Sequence, residues 1–93
     1  MKQLGHFDRR PPSREAIQTR ILIADIDRVV QILNSDIAAE EQQAGVFDRC
    51  QAEYPMLARN LAARRDNLRG TIAALEKRLS DLLHEPAGLS APA

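Results

Sequence analysis

The side chains able to carry acid-base or metal chemistry are spaced so that they do not converge. Asp25 and Asp27 are two residues apart, so on a helix they point to different sides. Glu40 and Glu41 are adjacent and diverge in the same way. The single cysteine, Cys50, lies far along the chain from both histidines, which leaves neither a zinc-binding set nor an intramolecular disulfide. The sequence therefore predicts no catalytic centre, no metal site and no cofactor.

A cluster of arginines in the second half of the chain is the strongest charged feature, and it comprises Arg59, Arg64, Arg65 and Arg69. The surrounding stretch ARNLAARRDNLRG resembles the basic region of the bZIP transcription factors, in which an asparagine and an arginine eight residues later contact DNA. Asn60 matches the asparagine, but Leu68 stands eight residues later. The resemblance implies an alternative function, a nucleic-acid-associated dimer that uses these arginines to bind phosphate. Thirteen basic and thirteen acidic residues give zero net charge, which favours arginines that form ion pairs instead.

A second resemblance concerns the stretch IADIDRVVQILNSDI, which is similar to the first helix of the all-helical chorismate mutases. Ile26-Asp27 and Leu33 match that family's pattern. The position of the family's active-site arginine is occupied by Ile37, and the only lysines of the chain are Lys2 and Lys77. A dicarboxylate substrate would lack the cations that hold it. We therefore expect neither this activity nor a small-molecule substrate.

The composition and the apolar spacing predict a first long helix over about residues 13–44. Hydrophobic residues are 44% of the 93-residue chain and aromatic residues 3%, which is typical of one small domain of amphipathic helices. Ser13 is a good N-cap and Gly45 a good C-terminal stop. An apolar stripe recurs at helical steps and comprises Leu22, Ile26, Val29, Leu33 and Ile37. We expect its eleven-residue period to give a nearly straight pairing with a second helix.

A loop over residues 45–54 and a second helix over about residues 55–84 follow. Pro55 suits the first turn of a helix, and Pro86 lies beyond its end. Heptad positions of this helix supply the other half of an apolar seam, namely Leu61, Leu68, Ile72, Leu75, Leu79 and Leu82. Gly70 lies in the middle of the helix and marks either a close helix contact or a tolerated defect. Residues 1–12 and 86–93 are predicted to be a disordered arm and a disordered tail.

Two helices of equal length joined by a short loop favour an antiparallel hairpin, residues 13–85, with the packing of a coiled coil. Each helix is about 45 Å long at 1.5 Å per residue. Folding at the loop brings an acidic stretch beside the basic cluster. We therefore expect ion pairs between Glu40 and Arg59 and between Asp36 and Arg64. The sequence thus predicts an all-α fold whose arginines are neutralised within the hairpin.

A second apolar edge is left uncovered by such a hairpin, and it comprises Ile17, Ile21, Ile32, Leu57 and Leu83. The simplest cover is a second copy of the chain, which gives a symmetric homodimer and a four-helix bundle. The helix of another protein is the alternative partner. No apolar run is long enough to span a membrane, and we expect a cytoplasmic location. The sequence thus predicts a non-enzymatic module that binds protein through its helices.

Overall fold

The computed structural model describes residues 11–84, which form two helices. Helix α1 spans Arg14–Ala44 and helix α2 spans Met56–His84. The two helices pack against each other, so the predicted all-helical hairpin is confirmed. Apart from Pro11 and Pro12, the residues predicted to form the arm and the tail lie outside the described range. Neither α1 nor α2 combines the length and the apolar character that crossing a membrane requires.

Helix α1 begins and ends at residues whose chemistry favours helix caps. The hydroxyl oxygen of Ser13 accepts a 3.0 Å hydrogen bond from the backbone N–H of Ala16. Gly45 adopts a left-handed conformation with φ of 75°, and its N–H donates to the carbonyl of Glu41 over 2.8 Å. Both caps lie where the sequence predicts them.

The loop between the helices is held by short-range hydrogen bonds. The carboxylate of Asp48 accepts a 2.9 Å hydrogen bond from the backbone N–H of Cys50, which is a local Asx turn. The carbonyl of Asp48 accepts from the N–H of Gln51, and the carbonyl of Gln51 accepts from the N–H of Tyr54. These bonds define the path of the chain between the helices and place Tyr54 at the start of α2.

A hydrophobic core cluster of the hairpin lies next to the loop. We call this group of side chains the loop-end cluster: the buried residues Ile37, Tyr54, Ala58 and Ala62, with Val46 and Leu61 packed against them. Ala58 and Ala62 are the buried residues of α2, and both lie within its first two turns. Small side chains thus form the buried part of α2 at this end.

The residues of α1 that face α2 follow a seven-residue repeat. Alternating steps of three and four residues relate its buried and half-buried members, which are Ala16, Thr19, Ile23, Ile26, Val30, Leu33 and Ile37. This is the spacing of a coiled-coil seam. The predicted eleven-residue period is therefore wrong.

Two residues predicted for this seam lie outside it. The exposed fraction of Leu22 is 46% and that of Val29 is 40%, whereas Val30, one residue further, is buried. Apolar residues occupy both neighbouring lines of α1, so spacing alone could not identify the line that faces α2. The structure assigns Ile23 and Val30 to the seam and leaves Leu22 and Val29 on its flank.

On α2 the predicted seam positions are only partly covered. Leu61, Leu68, Ile72, Leu75, Leu79 and Leu82 are each half-buried. A Cβ atom added to Gly70 would meet nothing within 4 Å, so this glycine does not mark a close helix contact in the hairpin. Beyond the loop-end cluster, the α2 side of the seam is therefore less buried than it is within the cluster.

Polar contacts join the two helices at two positions beyond the loop-end cluster and help to fix their antiparallel alignment. Near the middle of the hairpin, the guanidinium of Arg65 donates a 3.1 Å hydrogen bond to the side-chain oxygen of Asn34. Towards the open end, Arg78 forms an ion pair with Glu15. Each contact joins α1 to α2.

Candidate interaction surfaces

Helix α1 carries a row of exposed large hydrophobic side chains on the sides of the helix that α2 does not cover. We call this row the outer apolar surface: Ile17, Ile21, Leu22, Val29 and Ile32. Ile21 is 56% exposed and Ile32 is 55% exposed. Three of the five residues were predicted as a dimer interface. Leu22 and Val29 are additions, because the hairpin does not cover them.

Two of these isoleucines lie on one line with a pair of opposite charges between them. Ile21 and Ile32 are eleven residues apart, which is slightly more than three full helical turns. Arg28 donates a 3.2 Å hydrogen bond to the carboxylate of Asp25, and both side chains are well exposed. The line therefore has apolar ends and a charged centre.

The other two residues predicted for this edge do not extend the same surface. Leu57 and Leu83 are both exposed, but they lie at opposite ends of α2, about 39 Å apart at 1.5 Å per residue. Leu57 directly follows the exposed Met56 at the loop end. We therefore treat the outer apolar surface of α1 as the candidate interface.

The arginine cluster of α2 is not one continuous basic surface. The guanidinium of Arg59 lies over the ring of Tyr54, with the guanidinium carbon 5.3 Å from the ring centroid. The Arg65 side chain is only 16% exposed and is hydrogen-bonded to Asp66 over 3.0 Å as well as to Asn34. Arg69 reaches the same aspartate at 4.0 Å. Three of the four arginines thus have contacts within the hairpin.

The ion pairs expected across the loop do not form. Within residues 11–84, no ion pair joins Glu40 to Arg59 or Asp36 to Arg64, and Arg64 is exposed. Arg59 instead forms a cation–π contact with the ring of Tyr54. The expectation of direct carboxylate–guanidinium pairs at this end of the hairpin is therefore wrong.

Tyr54 is a structurally important residue that sequence reasoning missed. Its exposed fraction is 4%, and its hydroxyl donates a 2.7 Å hydrogen bond to a carboxylate oxygen of Glu41. This hydrogen bond, burial of the phenol and the negative charge of Glu41 raise the pKa of Tyr54 above 10.0, against the opposing charges of Arg49 and Arg59. The available signal was an aromatic residue directly before the helix-starting proline. A buried tyrosine hydroxyl needs a polar partner.

Ligating and nucleophilic side chains do not gather elsewhere in the hairpin. In the part of the chain that the structure describes, no three His, Cys, Asp or Glu side chains lie close enough to hold a metal ion. Cys50 is a free, exposed thiol in the loop. Comparison with protein-family models, curated proteins and solved structures finds no match for this chain.

Proposed function

We propose that this protein is a non-enzymatic helical module that binds protein, and that its first partner is a second copy of itself. In this proposal the outer apolar surface of α1 is the interface, and two hairpins form a four-helix dimer in which α1 packs against α1. The function of such a module is to present or join helices rather than to transform a substrate.

The observation that carries the proposal is the balance of exposed and buried hydrophobic side chains. Among residues 11–84, seven hydrophobic residues are buried and three of these are alanine, whereas nine large hydrophobic residues are exposed. A small domain with so little buried area is marginal on its own, and further burial through oligomerisation is a common remedy. Five of the nine exposed residues lie on α1, so further burial is expected there.

A second copy is the partner that this surface favours. Homodimers with two-fold symmetry use one surface twice, so a self-complementary patch is sufficient. A helix packed along the patch would cover its apolar side chains by helix-on-helix packing. The helix of a different protein is the competing occupant.

Sedimentation equilibrium of the full chain, with circular dichroism on the same sample, tests the proposal. We expect a highly helical dimer. In the variant Ile32→Asp we expect a helical monomer, because the new carboxylate would be buried without a partner in the dimer. Gln31→Asp is the matched control, since it adds the same charge at the adjacent exposed position.

Each outcome has a distinct meaning. A wild-type chain that stays monomeric would refute self-association, and capture of another helical protein would then be the function to test. A wild-type dimer that persists in Ile32→Asp would place the interface away from α1. Retention on DNA at low salt, lost in Arg64→Glu, would favour the nucleic-acid alternative.

A further inference from the structure

The outer line of α1 reads the same in both directions if the two charges are exchanged. From the N-terminal side it presents Ile21, Asp25, Arg28 and Ile32, with steps of four, three and four residues. When the line is read from the C-terminal side, the steps are the same. Ile21 and Ile32 then exchange places, and so do Asp25 and Arg28. Such a pattern is complementary to an antiparallel copy of itself.

We propose that two copies associate by packing α1 against α1 in antiparallel orientation, with Asp25 of one copy facing Arg28 of the other. This inference rests on the proposed self-association and specifies its geometry. In this register Ile21 lies opposite Ile32 of the second copy, and the two-fold axis repeats both contacts. Two isoleucine pairs then flank two reciprocal ion pairs.

The flank of the same surface supports this register. Leu22 and Val29 are exposed and lie seven residues apart along one edge of α1. Around a two-fold axis midway between Asp25 and Arg28, Leu22 of one copy lies on the same side of the interface as Val29 of the other, about 3 Å from it along the helix axis. The same arrangement therefore brings together, at one edge of the interface, the two residues that the seam with α2 leaves outside.

Charge selects this orientation over a parallel one. In a parallel pair in register, Asp25 would face Asp25 and Arg28 would face Arg28, and like charges across an interface are unfavourable. Within one chain, Asp25 and Arg28 already form an exposed pair at 3.2 Å, and exposed pairs contribute little to stability. Exchanging that contact for one across the interface therefore costs little stability. A parallel register, in contrast, would place like charges face to face.

Charge exchange on the full chain tests the register. The four proteins are the wild type, D25R, R28D and the double variant D25R/R28D. All the altered side chains are exposed in the hairpin, so each protein is expected to keep the helical content of the wild type by circular dichroism. Sedimentation equilibrium measures each dimer. Native mass spectrometry with one protein isotope-labelled measures mixing.

Each single variant places four like charges together at the interface of its own dimer. We expect both single variants to dimerise about tenfold more weakly than the wild type or worse, with the difference reduced by high salt. An equal mixture of D25R and R28D should form mainly the mixed dimer, because aspartates then face arginines. The double variant should dimerise as well as the wild type.

A mixture of the wild type and the double variant separates the two orientations. In the antiparallel register, the mixed dimer opposes like charges, so each protein should pair with itself. In a parallel register the mixed dimer would be the favoured one, and that result would overturn the inference.

The test also separates this inference from the proposed function. Suppose that Ile32→Asp disrupts the dimer, whereas D25R and R28D dimerise as well as the wild type and mix with it at random. Self-association through α1 would then stand, and the proposed register would be refuted. A monomeric wild type refutes both.

Discussion

The guanidinium of Arg65 donates a 3.1 Å hydrogen bond to the side-chain oxygen of Asn34 on the opposite helix. Arg65 occupies a heptad position that elsewhere on α2 carries Ala58 and Ile72. A polar pair within an apolar seam is satisfied only when the two helices are aligned in one way. This contact therefore helps to determine which residues of α1 and α2 lie side by side.

Replacing Arg65 should cost stability, whereas replacing its neighbour should not. We expect Arg65→Ala to lower the free energy of unfolding by about 1 kcal/mol, because a charged hydrogen bond and the packing of a half-buried side chain are lost. Arg64→Ala is the control, and a change within about 0.5 kcal/mol is expected at this exposed position. Urea unfolding measures both. Equal losses would mean that the hydrogen bond to Asn34 does not stabilise the hairpin.

Two isoleucines of α1 provide a matched test of burial. Ile37 is 6% exposed within the loop-end cluster, and Ile37→Ala should destabilise the chain by about 2–5 kcal/mol, as buried isoleucines do. In Ile32→Ala the hairpin should lose less than about 0.5 kcal/mol when unfolding is measured at concentrations where the chain is monomeric. The second variant should instead weaken self-association in sedimentation equilibrium. The opposite ranking of the two stabilities would contradict the assignment of the seam.

The two glycines of the described hairpin should respond to alanine in opposite directions. Gly45 has a φ of 75°, which strains any residue with a Cβ atom, so Gly45→Ala should destabilise by about 1 kcal/mol. At Gly70 a Cβ atom would meet nothing within 4 Å, and Gly70→Ala should stabilise by about 0.5–1 kcal/mol through helix propensity. Thermal unfolding of both variants measures the difference. Destabilisation by Gly70→Ala would indicate a helix packed against that position.

Tyr54 should titrate above pH 10, and the stability of the hairpin should fall as it does. In the unfolded chain the phenol loses its proton near its ordinary pKa of 10.0, while the hydrogen bond to Glu41 keeps it protonated in the native state. The unfolded state then binds fewer protons, so the contribution of Tyr54 is complete below pH 10 and is lost as pH rises through the native pKa. Because the chain has one tyrosine and no tryptophan, tyrosinate absorbance measures this titration directly.

Glu41→Gln is the control for that titration. It removes the charge that opposes ionisation of the phenol, so the native pKa should move back towards 10.0. A wild-type tyrosine that titrates at or below 10.0 would contradict the hydrogen bond to Glu41.

Much of the fold was predictable because the relevant signals are local. Ser13, Gly45 and Pro55 mark where the helices begin and end, and each acts within a few residues of itself. The hairpin followed from two helices of similar length with a short loop. These features depend on backbone chemistry and helical spacing, which one sequence is sufficient to show.

The details that depend on which side of α1 faces α2 could not be predicted. Leu22 and Ile23 are adjacent apolar residues, as are Val29 and Val30, so either line of α1 is a plausible seam. The contact between Tyr54 and Glu41 was missed for a similar reason. It depends on the path of the loop, which brings residues thirteen positions apart into hydrogen-bonding distance.

The loop-end cluster has a consequence for the order in which the hairpin assembles. Its contacts join residues close together along the chain, and closing a short loop costs less entropy than closing a long one. We therefore expect folding to nucleate beside the loop and to proceed towards the ion pair between Glu15 and Arg78, with the rapid kinetics of a fold rich in local contacts. Ile17 and Ile21 would be ordered late in this process. Association of two chains would then stabilise the N-terminal turns of α1, which fold last.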